Sequence, residues 1–329
     1  MSGARIGIDL GGTKIAGVLL GSQQQTLCRL RRATPRGDYE ATLTSIAALV
    51  EELEAVWRAE AGASDQPIPV GLGAPGVCDA ETGLMAHCNS TWLNGQALRA
   101  DLEKYLTRSL VIANDADCFT LSQTVLQPGL ANGLLFGVIL GTGVGGGWAD
   151  NGQLRLGPNG LSGEWGHVPL PYFRSGLRPQ LQGLEAQLDD RRCYCGRQNC
   201  IETFLSGPGL LATYQALWGD LKSIDTAEQV VAGDSDQCRA TVQLYCDMLA
   251  RSLAQIINVV DPQAIVLGGG LSNVALLYDA LPKQIPAYLF SRPVLSTSIN
   301  APLGGDDSGV IGAALLTLRM PSTVPPSAQ

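Results

Sequence analysis

The sequence lacks an excess of basic side chains. Twenty-two Lys and Arg stand against 30 Asp and Glu in 329 residues, a formal net charge of −8. A surface of that sign repels phosphate backbones and anionic headgroups, which argues against nucleic acid or a membrane as the main partner. No basic segment followed by an apolar run opens the chain, so no secretory leader is expected. The uncharged stretch 118–149 is interrupted by glycines and Pro128, and it predicts helix, loop and hairpin rather than a membrane span. No G-K-[ST] tripeptide occurs, which excludes a Walker loop. Histidine is scarce: only His87 and His167 are present. The nine cysteines are odd in number, and three crowd between Cys193 and Cys200. One metal site and six reduced thiols fit that count better than a disulfide framework, so a cytoplasmic compartment is expected.

What is present suits a core-forming chain of about two domains, at ~100–200 residues each. The stretch 5–20 organises it. Ile6, Ile8 and Leu10 alternate with Gly7 and Asp9, the period of a half-buried strand. Gly11-Gly12-Thr13-Lys14 then turns the chain, and 15–20 returns as a second strand. This hairpin offers backbone N–H groups that an anion can approach closely, a hydroxyl, an ammonium and the Asp9 carboxylate. The design recurs at 136–149, where Gly141-Thr142-Gly143-Val144-Gly145-Gly146-Gly147 makes the turn. Two such hairpins suggest two jaws on one polyphosphate. Residues 141–146 and 71–76 both match G-x-G-x-x-G, but each is followed by a turn instead of a helix, so a dinucleotide site is not expected.

Elsewhere, Asp38 is placed to cap a helix reaching about Ala61, with Leu43, Ile46, Val50, Leu53 and Trp57 as its apolar stripe. Strands are expected at 68–72, 110–113 and 264–267. Helices are expected at 98–106, 116–125, 210–218, 226–231 and 239–260, with a small-residue helix at 308–318. Strands alternate with helices in both halves, which predicts an α/β fold with mixed sheets. The stretch 171–192 reads as a polar insertion, and 320–329 as a disordered Pro/Ser tail.

Three further groups carry chemistry. Asn114-Asp115 falls at a strand end, where α/β sheets face their ligand crevices. A carboxylate of ordinary pKa, about 3.9, is a weak base at neutral pH, yet it suffices for phosphoryl transfer because the nucleophile's proton leaves late. An acidic residue there is also placed to cap a helix from Ala116. His167 with Cys193, Cys195 and Cys200 has the composition of a closed Cys3His zinc site. Such a site fixes geometry, and it leaves His167 able to hold zinc with one nitrogen and a substrate hydroxyl with the other. Asn89, Glu164 and Glu202 are hydrogen-bonding groups of the kind a sugar needs.

Taken together, Ile8-Asp9-Leu10-Gly11-Gly12-Thr13-Lys14, Asn114-Asp115-Ala116-Asp117, Gly163-Glu164-Trp165-Gly166-His167 and the run from Cys193 to Glu202 resemble the ROK family of bacterial sugar kinases, from Arg5 to about Leu318. The resemblance implies a two-domain actin-like or hexokinase-like (ribonuclease H-like) fold with ATP in the cleft. It implies that Asp9, Gly11, Gly12, Thr13 and Lys14 meet the phosphates and Mg2+, and that Gly141, Thr142, Gly143 and Gly145 form the second phosphate loop. By the same resemblance Gly268 and Gly269 lie by the nucleoside and Asp115 is the general base. Asn89, Asn114, Asp115, Glu164, His167 and Glu202 hold the sugar, and Zn2+ sits on His167, Cys193, Cys195 and Cys200.

The implied domains are 1–115, joined by the C-terminal helix 308–319, and 116–307 with the zinc knuckle. Asn199 replaces the family's usual Gly, and because Asn tolerates a left-handed backbone the metal is expected to survive. Within the family, 89–96 resembles fructokinases that also accept mannose, whereas 139–147 and Arg192-Cys193 resemble N-acetylglucosamine kinases. A bulky Trp92 near the sugar favours fructose, with N-acetylglucosamine or glucose as the alternative. A sugar-sensing repressor of the same family would need a helix-turn-helix before Arg5, where no room is expected. Long apolar helices in the second half, together with the family, suggest a homodimer.

Overall fold

In the computed structural model of the chain, residues 3–61, 67–79, 81–174, 179–219, 224–291 and 294–319 are described. The expected loop at 63–67 lies outside them except for Pro67, and the expected tail at 320–329 lies wholly outside. Residues 1–128, 152–162 and 303–329 form one compact unit, and residues 129–151 and 163–302 form a second.

The sheet of the first unit runs Thr26–Ala33, Lys14–Leu20, Arg5–Leu10, Val70–Ala74, Leu110–Asn114. The first two contacts are antiparallel, made by the turn at 21–25 and the glycine turn, and the last two are parallel, with Ile8 opposite Leu72 and Leu72 opposite Ile112. Helix Tyr39–Ala61 covers one face. Asp38 caps it as expected, its Oδ1 accepting the Ala41 N–H at 2.9 Å. Leu43, Ile46, Val50 and Leu53 are buried, and Trp57 packs at the margin. Ala16, Val18 and Leu20, on the other face, cluster with the closing helix Ser308–Leu316. That helix is built of small residues because it lies almost on the sheet backbone. A Cβ on Gly71 would come within 1.9 Å of Ala313 O, and one on Gly7 within 2.2 Å of Val310 O.

In the second unit Val144–Asp150, Leu134–Leu140, Ala264–Gly268 and Ser298–Asn300 hydrogen-bond in that order. The hairpin is antiparallel, with Phe136 opposite Trp148 and their rings stacked at 4.2 Å. Helix Asp236–Val260 buries Leu244, Met248, Leu249 and Leu253 in the core of its own unit. Those four residues are consumed internally, while Val259 and Val260 at the helix end are exposed. Part of the polar insertion is helix Pro179–Glu185. Glu185 accepts a hydrogen bond from the buried Arg251 Nη2 at 2.5 Å, and Arg251 Nη1 donates to Tyr172 O at 2.9 Å. Among the described residues no helix is long and apolar enough to cross a membrane.

Candidate active site

The first unit gathers Asp9, the glycine turn, Ser90 beside Asn89, and Asn114-Asp115. The turn is braced from behind: Thr34 Oγ1 donates to Gly11 O at 2.7 Å, Arg36 Nε to Gly12 O at 3.0 Å, and Thr34 N–H to Thr13 O at 3.1 Å. This fixes the peptide planes of the loop. A Cβ on Gly12 would meet Ser90 Oγ at 3.3 Å. Lys14 is exposed and pairs with Asp306 at 3.1 Å.

Asp9 sits at the end of its strand against two glycines. A Cβ on Gly309 would come 3.2 Å from Asp9 Oδ2, and one on Gly73 3.7 Å from Oδ1. Burial first, and then the negative charge of Asp115, raise the Asp9 carboxyl to about 6, partly offset by Lys14. Two carboxylates that disfavour each other's ionisation make a place where a divalent cation is electrostatically welcome.

Asn114, rather than Asp115, caps helix Asp115–Leu126. Its Oδ1 accepts the Ala116 N–H at 2.9 Å, and its Nδ2 donates to Gly76 O at 2.9 Å. The amide of Asn114 is therefore engaged with the backbone beside Asp115. Asp115, the first residue of the helix, is exposed, with Oδ1 2.8 Å from the Ala116 amide. Asn89 is also exposed, one residue after Cys88, whose backbone is clamped on both sides by the Asn94 amide.

The second unit gathers the second glycine loop, Gly268-Gly269, Glu164, Glu202, His167 and the three cysteines. Gly141 N–H donates to Gly143 O at 3.0 Å, and Gly207 N–H, opening helix Gly207–Trp218, donates to Gly141 O at 2.7 Å. Glu202 Oε2 accepts the Val144 N–H at 2.9 Å, and a Cβ on Gly143 would stand 2.7 Å from that oxygen. Glu202, read from sequence as a sugar ligand, thus also holds the second glycine loop. Gly269 adopts φ 79°, and a Cβ there would come 2.4 Å from Leu140 O, which seats it against the strand leading into the second loop.

The segment carrying Glu164 and His167 lies directly on the strand that leaves this loop. Added Cβ atoms on Gly163 and Gly166 would stand 2.0 Å from Gly146 O and 2.1 Å from Val144 O, and Trp165 Nε1 donates to Gly145 O at 2.8 Å. Only glycine permits that approach. The knuckle turns through Gly196 at φ 87°, and Asn199 adopts the left-handed φ of 56° that its side chain tolerates. Asn199 Oδ1 also accepts the Arg191 N–H at 2.8 Å.

Cys193 Sγ lies 3.5 Å from His167 Nδ1, and Cys195 Sγ 3.6 Å from Cys200 Sγ. All four ligand atoms fall within 4.8 Å of one another. A tetrahedral zinc ion with bonds of 2.0–2.3 Å sets its ligands roughly 3.5–3.8 Å apart, so the donor set fits the metal. Burial, and then hydrogen bonding with Cys195 and Cys193, push Cys200 up to about 12, so metal binding must expel protons. The other imidazole nitrogen, Nε2, is 2.9 Å from Tyr194 Oη and 4.0 Å from Glu164 Oε2.

Sequence reasoning missed Thr34, Arg36, Ser90, Gly309 and Tyr194. For Tyr194 the signal was available in its position between two ligand cysteines. For the others only the folded contacts reveal a role.

Comparison with known proteins agrees with these motifs. The ROK family model matches residues 5–320. The N-acetyl-D-glucosamine kinase of Vibrio cholerae serotype O1 is 36% identical over 317 residues, covering 95% of this chain and 99% of the relative. The enzyme of the same name from Shigella flexneri serotype 5b is 38% identical over 314 residues, covering 95% and 98%. Among solved structures, the ROK hexokinase from Thermus thermophilus superposes with a TM-score of 0.75 at 24% identity, covering 96% of this chain and 99% of that one. The fold is the actin-like ATPase fold.

Proposed function

The chain belongs to the ROK family, and from that membership we propose that it transfers the terminal phosphoryl group of ATP to the 6-hydroxyl of N-acetylglucosamine. The observation that carries this substrate is the full-length likeness to N-acetylglucosamine kinases at 36–38% identity. It favours the alternative over fructose. The ground for fructose was the bulk of Trp92, and that ring packs against the core of the first unit.

In this reading Asp9 faces Mg2+, which when bound neutralises phosphate charge. Lys14 and the peptides of Gly11, Gly12 and Thr13 bind phosphate oxygens. Gly141, Thr142, Gly143 and Gly145 form the second phosphate loop, and Gly268 and Gly269 lie against the nucleoside. Asn89, Glu164, His167 and Glu202 hold sugar hydroxyls, and Asn114 orients Asp115. The sugar oxygen bonds to the γ-phosphorus as the bond to the ADP oxygen breaks, and its proton passes to the Asp115 carboxylate. Because that transition state is loose, orientation counts for more than basicity. Zinc on His167, Cys193, Cys195 and Cys200 is structural, and the enzyme is cytoplasmic.

Coupled ADP release with N-acetylglucosamine, fructose, mannose and glucose tests this. N-acetylglucosamine should give the highest kcat/KM. A preference for fructose would restore the other substrate, and no turnover with any sugar would end the kinase reading. Asp115→Asn should lower kcat by about 10²–10⁴-fold while sugar binding persists.

A further inference from the structure

Tyr194 stands on the knuckle between two ligand cysteines, and its side chain is not consumed by packing: the residue is 72% exposed. Its hydroxyl nevertheless reaches His167 Nε2 at 2.9 Å, with the two rings edge to face at 5.0 Å. His167 Nδ1 faces the Cys193 thiol at 3.5 Å, so with zinc on Nδ1 the other nitrogen, Nε2, would carry the proton and donate. A phenol and a sugar hydroxyl offer that donor the same chemistry, an oxygen with lone pairs and one proton of its own. Glu164 Oε2, 4.0 Å from Nε2, flanks the position, and Glu202 lies near enough for its charge to be felt at the phenol.

We propose that Tyr194 Oη and a substrate hydroxyl compete for His167 Nε2, so that Tyr194 tunes sugar affinity. This rests on the kinase reading above for the identity of the sugar. The backbone of Tyr194 is held by its neighbours: Cys193 N–H donates to Arg197 O at 2.9 Å and Gly196 N–H to Cys193 O at 3.0 Å. The exposed ring can therefore swing while the knuckle stays in place. Each sugar that binds must break one hydrogen bond to a charge-neutral partner, which corresponds to a several-fold, at most about tenfold, loss of affinity. Tyr194 is thus an affinity-tuning residue, distinct from the ligands on either side of it.

The chain's two histidines make the test direct. Zinc-loaded full-length protein, labelled with 15N in its imidazoles and assigned with His87→Gln, reports His167 Nε2 as a single resonance. Tyr194→Phe should shift that resonance in sugar-free protein, and saturating N-acetylglucosamine should abolish the difference between variant and parent. By calorimetry the variant should bind the sugar three- to tenfold more tightly, with kcat and zinc content unchanged. An unmoved Nε2 resonance, weaker sugar binding, or lost zinc in Tyr194→Phe would each overturn the proposal, the last two by making Tyr194 a sugar contact or a support of the metal. If neither protein responds to any sugar, the assigned substrate falls together with the competition. A parental response with no effect of Tyr194→Phe overturns the competition alone.

Discussion

Two glycine hairpins, one in each unit, are proposed to bind phosphate, and they are built from opposite materials. The first is rich in charge: Asp9 precedes it, Lys14 ends it, and its carbonyls are braced by the side chains of Thr34 and Arg36. The second carries no charged side chain of its own between Gly141 and Gly147. It borrows a carboxylate, since Glu202 accepts the Val144 amide, and it borrows the first amide of helix Gly207–Trp218. One backbone device therefore serves two ends. In the first hairpin the chemistry resides in side chains at the turn, and in the second it resides in peptide groups held by a residue far along the chain.

The largest effect should separate the two by charge. Asp9→Asn is expected to lower Mg-ATP turnover by ~10³-fold, because it removes the carboxylate proposed to face the phosphate-bound cation. Thr142→Ala should cost less than tenfold in the same steady-state assay. Equal losses would break the contrast.

The next effect is on stability, and only the charged hairpin should show it. The Asp9 carboxyl, raised to about 6 from an ordinary 3.8, binds a proton more readily in the folded chain than in the unfolded one. Its ionisation therefore subtracts stability as pH rises from about 4 to about 6, and the loss persists above that. In urea unfolding without nucleotide or metal, Asp9→Asn should be more stable than the parent by about 3 kcal/mol at pH 7, and equal to it below about pH 3. A constant difference across that window would mean that Asp9 is not raised.

The smallest effect concerns the borrowed carboxylate. Gly143→Ala places a methyl 2.7 Å from Glu202 Oε2 and must displace it from the Val144 amide. KM for ATP should rise roughly tenfold, about the loss of one charge-assisted hydrogen bond. Gly12→Ala, whose methyl meets only Ser90 Oγ at 3.3 Å, should change it less than threefold. The reverse order would place the rigid loop in the first hairpin.

Much of the fold was legible because its signals are local. The 2-residue alternation from Ile6 to Leu10 and the stripe from Leu43 to Leu53 report burial directly, and the structure buries those residues. The small residues of the closing helix were visible as composition, but their cause was not. Only the register of Gly7 and Gly71 beneath Val310 and Ala313 explains why larger side chains are shut out. Most apolar residues of helix Asp236–Val260 point into the core of their own unit, while Val259 and Val260 at its end are exposed. Periodicity marks an apolar face without saying what covers it. The site residues divide in the same way. Cys193, Cys195, Cys200 and His167 were identifiable by chemistry and spacing, and their ligand atoms do converge. The amide of Asn114 bonds the Ala116 and Gly76 backbone, a choice of partners that residue type does not encode.

By itself the amino-acid order determined the two glycine turns, the donor set of the knuckle and the left-handed tolerance of Asn199, because each depends on residues within a few positions and on intrinsic backbone preferences. Tertiary structure alone decided that Glu202 supports the Val144 amide 58 positions away and that Tyr194 takes the free side of His167 across 27. A hydrogen bond needs its partners within about 3 Å, and no local propensity reports which distant groups the packed core will bring to that distance.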